Sequence, residues 1–216
     1  MTTPAAYAAD SAEARYWQGR NTLAAAARRL NEKLVSSDIS EDVAHQIATE
    51  VKKITDRLAE MPQVSGLVEM GRRESRGSFD NVMGELVAMA GRSHPCAPEL
   101  SWQERAGGIT GTVFFSQAFE GPPGHVHGGW VAGILDHIMG MTHVRTGYPG
   151  MTGGLSVRYR KPTPLNTLIH VSATATALDE RRTEVTAEMR HGEITTATAE
   201  AIFIRVDSAR FGFDPS

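Results

Sequence analysis

The chain has 216 residues, 41% of them hydrophobic and 22% charged, with 22 basic residues against 25 acidic ones and a formal net charge of −3. That length suits one domain with an appendage, and the near-balance of charge leaves no electrostatic footprint for nucleic acid. The single cysteine, Cys96, excludes an internal disulfide and a multi-cysteine zinc site.

No apolar run approaches the ~18 residues that span a membrane. The opening stretch Met1-Thr-Thr-Pro-Ala-Ala-Tyr7 has neither a basic leader nor an apolar core. The expectation is a cytoplasmic protein without a signal peptide.

Residues 1–95 read as helical. Leu23, Ala27, Leu30 and Leu34 recur at the spacing of a helix that buries one face. Val43, Ile47, Val51, Ile54, Leu58 and Met61 form a second stripe, with Ser40 as N-cap, Glu41 and Asp42 in the first turn, and Pro62 as its stop. Two such stripes are expected to pair as a hairpin or to dock on the rest of the chain. Five glycines punctuate Ser65–Arg92, which reads as a mostly irregular connector, and Arg92–Pro98 reads as the boundary before a second domain, 96–216.

From Leu100 the period changes to two. Ile109, Val113, Phe115 and Phe119 share a parity and predict one strand. Gly121-Pro-Pro-Gly124 then forms a loop, followed by a helix over about 128–144. Leu155, Val157 and Tyr159 alternate with Ser156, Arg158 and Arg160; further strands carry Ile169–Ala175, Val185–Met189 and Ile194–Val206. The turns between them are short, which favours antiparallel neighbours. The fold class is α+β: one helix against an antiparallel sheet, with an N-terminal helical extension.

The 128–144 helix carries the chemistry. Val131, Ile134, Leu135 and Ile138 form its apolar stripe, while Gly129, Ala132, Gly133, Asp136 and Gly140 build another face. Each helical glycine costs ~1 kcal/mol relative to alanine, so this face implies close approach of a strand, a helix or a ligand. A carboxylate there is expected to be partly desolvated, with its pKa raised. At the helix start, Gly128 and Gly129 offer unshielded backbone N–H groups suited to an oxyanion.

His127-Gly-Gly129 followed by Asp136, on a helix set into an antiparallel sheet, resembles the hotdog-fold acyl-CoA thioesterases, of the phenylacetate-pathway and thioesterase-superfamily-member types. The resemblance covers about 95–206. It implies a homodimer, with a dimer of dimers as a further level, in which each site draws on two protomers. It further implies that Asp136 activates water or attacks the thioester carbonyl of an acyl-CoA, while His127 and the Gly128 backbone of the other protomer polarise that carbonyl. Thr152 matches the hydroxyl residue that positions water or acid. Glu120–Gly124 lacks the amide side chain of the phenylacetate branch, which favours the branch that uses the threonine. Family members bind the nucleotide through the strand and turn that here carry Arg158, Arg160, Arg181 and Arg182; arginines on such a face otherwise serve solvation. The implied setting is fatty acid metabolism.

Asp136 and His137 point about 100° apart on a helix and do not converge on a metal, so neither metal nor organic cofactor is expected. No Gly-x-Ser-x-Gly elbow supports a serine hydrolase. Thioester hydrolysis is the expected activity; the alternative is a non-catalytic acyl-CoA-binding protein using the same groove. A hydratase on this fold uses a different acid–histidine arrangement.

Overall fold

The computed structural model of the chain describes residues 11–73 and 76–206. The Met1–Tyr7 stretch and the last ten residues of the 96–216 domain lie outside them. Four helices come first: α1 (Ala12–Ser36), α2 (Glu41–Ala59), α3 (Gly66–Gly71) and α4 (Phe79–Leu86). The hairpin β1 (Glu99–Arg105) and β2 (Gly108–Phe114) follows, then a 3-10 turn at Gln117–Phe119 and the helix α5 (Gly128–Val144). The chain closes with β3 (Gly150–Tyr159), β4 (Leu168–Ala177), β5 (Arg182–His191) and β6 (Ile194–Arg205). No helix among the described residues is long and apolar enough to cross a membrane.

The six strands form one antiparallel sheet in the order β1-β2-β4-β5-β6-β3, and α5 lies against it, touching every strand but β1 closely. Small side chains make that approach possible. Ala173, Ala187 and Ala199 stand in register across the middle of the sheet, and all three are buried beneath the helix residues Ile134, Leu135 and Ile138. The strands alternate as a one-sided sheet should: in β5, Val185, Ala187 and Met189 are buried while Thr186 is exposed.

Four expectations change. The strand expected over Ile109–Phe119 shortens to β2, with Phe115 beyond its end and Phe119 in the 3-10 turn, and a strand not expected, β1, precedes it as its hairpin partner. β3 does not neighbour β4; it lies at the far edge of the sheet, paired with β6. The connector is not mostly irregular, since α3 and α4 pack together there. Finally, neither N-terminal stripe is buried. On α1 the buried residues are Trp17 and Ala24, while Leu23 and Leu34 are half exposed. Helix α2 buries nothing, although Ser40 caps it as expected by accepting the Val43 N–H.

Trp17 explains where the helical extension finds its core. It is fully buried with Met70 and Val82, and its indole N–H donates to the Arg76 carbonyl at 3.0 Å. From there α1 reaches the sheet half: Arg28 donates to the carbonyls of Arg92 and His94, each at 3.1 Å. Glu85, buried on α4, pairs with Arg92 and accepts from Ser93 at 2.8 Å, and the Ser93 hydroxyl oxygen lies 3.1 Å from the Asn21 side-chain amide. A buried carboxylate is tolerated when paired and hydrogen-bonded in this way.

Candidate active site

Asp136 and Thr152 meet. The Thr152 hydroxyl donates to Asp136 Oδ1 at 2.9 Å. The local cause is a bulge: the β3–β6 register shifts between Thr152 and Gly154. An extra residue of this kind bends an edge strand and re-aims its side chains. Helix α5 supplies the acid from its third turn, on the face where the core does not reach.

The opposite end of α5 is built by His127. It is the N-cap, and its Nδ1 accepts the Gly129 N–H at 3.0 Å. The Gly129 N–H is therefore spent within the chain, and among the described residues Gly128 keeps the open N–H. Because Nδ1 accepts, the neutral ring carries its proton on Nε2, a donor on an exposed side chain. The Tyr159 hydroxyl donates to the Gly128 carbonyl at 3.0 Å and its ring lies 3.4 Å from where a Gly128 Cβ would stand. Tyr159 counted only as a strand residue in the sequence, and a hydroxyl at a strand end gave no signal of this support.

The glycine face receives the close approach its cost implied. A Cβ on Gly133 would overlap the Met89 methyl. Met89 belongs to the connector after α4, so the helical extension touches α5 one turn before Asp136. Asp136, His137 and Thr152 line an open groove of about 2610 Å³, whose other wall includes Arg28, Val87 and Trp102. Nothing in the sequence pattern joined Met89 to Gly133.

His137, adjacent to the acid, is pushed down to about 4 by burial, against the upward pull of the Asp136 carboxylate. It is neutral at neutral pH and puts no cation beside Asp136. His143, buried and stacked on Phe203 at 5.1 Å, is also lowered by burial.

The four arginines do not form one cluster. Arg158 stands opposite Thr198 of β6, whereas Arg182, on the other side of β6, stands opposite Ile204 of that same strand. Six residues of β6 separate the two levels, about 20 Å at the usual strand rise. Arg182 is held by Asp179 at 2.7 Å, and Arg181 flanks the same turn. Arg158 and Arg160 are exposed at the β3 end nearer Tyr159 and make no ion pair among the described residues. No three His, Cys, Asp or Glu side chains come together as a metal would need among the described residues.

An antiparallel sheet packed on one long helix, with an acid on the helix's open face and glycines at its start, is a hotdog-type fold similar to that of thioesterase superfamily proteins. The comparisons agree. Residues 123–198 match the family model of the thioesterase superfamily. The chain is 33% identical over 90 residues to acyl-coenzyme A thioesterase THEM4 of Rattus norvegicus, covering 41% of this chain and 39% of that protein. It is 32% identical over 89 residues to the same-named protein of Xenopus laevis, covering 40% of each. The match thus spans about two fifths of these curated relatives. A crystal structure of a thioesterase superfamily protein, 26% identical, superposes with a TM-score of 0.73 over 86% of this chain and 94% of its own. That coverage exceeds what 96–216 alone provides, so the shared fold takes in helices of the extension.

Proposed function

We propose that this chain is an acyl-CoA thioesterase that hydrolyses an acyl-CoA thioester to a free acid and coenzyme A. The observation that carries the reading is the Thr152–Asp136 hydrogen bond at the wall of the groove. Asp136 takes a proton from water held beside Thr152; the hydroxide adds to the thioester carbonyl, the C–S bond breaks, and the proton passes to the leaving sulfur. Attack by the carboxylate itself, through an anhydride, uses the same position.

The carbonyl oxygen needs donors, and the Gly128 N–H with the His127 Nε2–H would supply them. Within one chain these groups cannot serve Asp136. Eight residues of helix at 1.5 Å each separate Gly128 from Asp136 by about 12 Å. The site therefore calls for a second copy. β3 is an edge strand with exposed Met151, Leu155 and Tyr159, the kind of edge that pairs with another chain. If two β3 edges pair antiparallel about a two-fold axis at Ser156, with Gly153 as the bulged residue, Thr152 of one copy falls opposite Tyr159 of the other. Thr152 holds Asp136 and Tyr159 holds Gly128, so the pairing brings acid and oxyanion donor together. Arg158 on the same strand and Arg160 just past its end are the cations that this reading assigns to the phosphates of coenzyme A.

The test is thiol release from short, long and aromatic acyl-CoAs by the wild type and by Asp136→Asn. The expected loss of turnover is on the order of 100-fold or more, with acyl-CoA binding retained. Undiminished turnover in the variant removes Asp136 from the mechanism. Binding without turnover in the wild type selects the non-catalytic alternative.

A further inference from the structure

Helix α2 has an apolar face that nothing among the described residues covers. No other described helix or strand packs along it, and none of its residues is buried. Val43 is 41% exposed, Ile54 51%, Leu58 50% and, just past the helix end, Met61 54%. A helix of this length gains most of its stability from packing its apolar stripe, so the face needs a cover.

The spacing says what kind. Ile47, Val51, Ile54, Leu58 and Met61 follow one another at intervals of four, three, four and three. That is the a/d seam of a coiled coil, narrower than the stripe of a helix docked on a sheet. A seam of this form is covered by another helix. The rest of α2 has four acidic and three basic residues, without the cationic excess that would lay it on an anionic bilayer.

The flanking charges say which helix. Glu50 and Arg57 occupy equivalent positions beside the seam, one heptad apart, and neither makes an ion pair in its own chain among the described residues. We infer that α2 pairs antiparallel with the α2 of a second copy of this chain. In the two-fold arrangement Val51 packs on Ile54 of the second copy, Ile47 on Leu58, and Ala44 on Met61. The same register sets Glu50 beside Arg57 of the second copy, and by symmetry the reverse. A parallel pair would instead leave Glu50 next to Thr55. This contact is separate from the β3 edge and stands or falls independently of the thioesterase reading.

Sedimentation of the full chain tests it, with the wild type, Ile54→Glu, Glu50→Arg and the double variant E50R/R57E measured over a range of concentrations. Ile54 is half exposed in the single chain, so its substitution leaves the fold intact, which circular dichroism checks. The wild type is expected at an even multiple of the chain mass and Ile54→Glu at half that multiple, the α2 contact joining copies that the sheet edge does not join. Glu50→Arg is expected to raise the dissociation constant roughly tenfold, two symmetric pairs being turned to repulsion; the double variant restores it. On a Cys96→Ser background, Val51→Cys mixed with Ile54→Cys is expected to form a disulfide that neither variant forms alone, which fixes the antiparallel direction. A monomeric wild type, an Ile54→Glu protein of unchanged mass, or a double variant no better than Glu50→Arg overturns the inference.

Discussion

His137 offers a test of the site's electrostatics that needs no substrate. In the folded chain burial holds it down to about 4, from an ordinary value of 6.5. The sign follows from proton binding. Below pH 6.5 the unfolded chain takes up a proton at this ring that the folded chain refuses, so stability is complete above 6.5 and falls as the pH drops toward 4. The loss is about 2 kcal/mol at pH 5 and levels off near ~3 kcal/mol below pH 4. The assay is urea unfolding of the wild type and His137→Gln at pH 7.5 and pH 5. Carboxylates and His143, which is lowered in the same direction, contribute equally to both proteins, so the difference of the two pH slopes isolates His137. The variant is expected to lose about 2 kcal/mol less over that interval. Equal slopes in the two proteins would falsify the view that Asp136 sits beside a neutral, half-buried imidazole.

Two further outcomes bear on the site and its frame. Thr152→Val removes the 2.9 Å hydrogen bond to Asp136 and is expected to lower kcat roughly tenfold with KM little changed, the cost of one positioning hydrogen bond; Thr152→Ser restores it, and a KM effect alone would show that the threonine serves binding. Gly150→Ala sets a Cβ against the His143 ring and 3.0 Å from the Ile204 carbonyl. Overpacking of that kind costs about 1–3 kcal/mol, read as a lowered midpoint in urea, and an unchanged midpoint would mean that His143 is free to move.

What the sequence made legible was local. Helix α5 begins and ends where its apolar period and its glycines place it, because each of those signals acts within a few residues. The three-strand meander β4-β5-β6 was legible for the same reason, since its turns are short and Gly192 takes the left-handed conformation one of them needs. β1 was missed because an edge strand with polar neighbours, Glu99 to Arg105, shows only Leu100 and Trp102 on its inner side. The α1 face was misjudged because its leucines outnumber the one tryptophan that finds a core, and that core comes from α3 and α4, fifty and more residues away.

The candidate site divides along the same line. Asp136 and Thr152 sit at opposite ends of a short excursion, so helix, turn and returning strand bring them together with little help from the rest of the fold. The arginines depended on register instead. Their expected clustering assumed that β3 lies beside the strand that follows it. The chain instead carries β3 to the far edge and pairs it with β6, which parts Arg158 and Arg160 from the Arg181–Arg182 turn. That same displacement leaves β3 unpaired on its outer side among the described residues, with Thr152 and Tyr159 both on that edge. The move that scatters the arginines is therefore the one that frees the edge on which the proposed pairing of two copies rests.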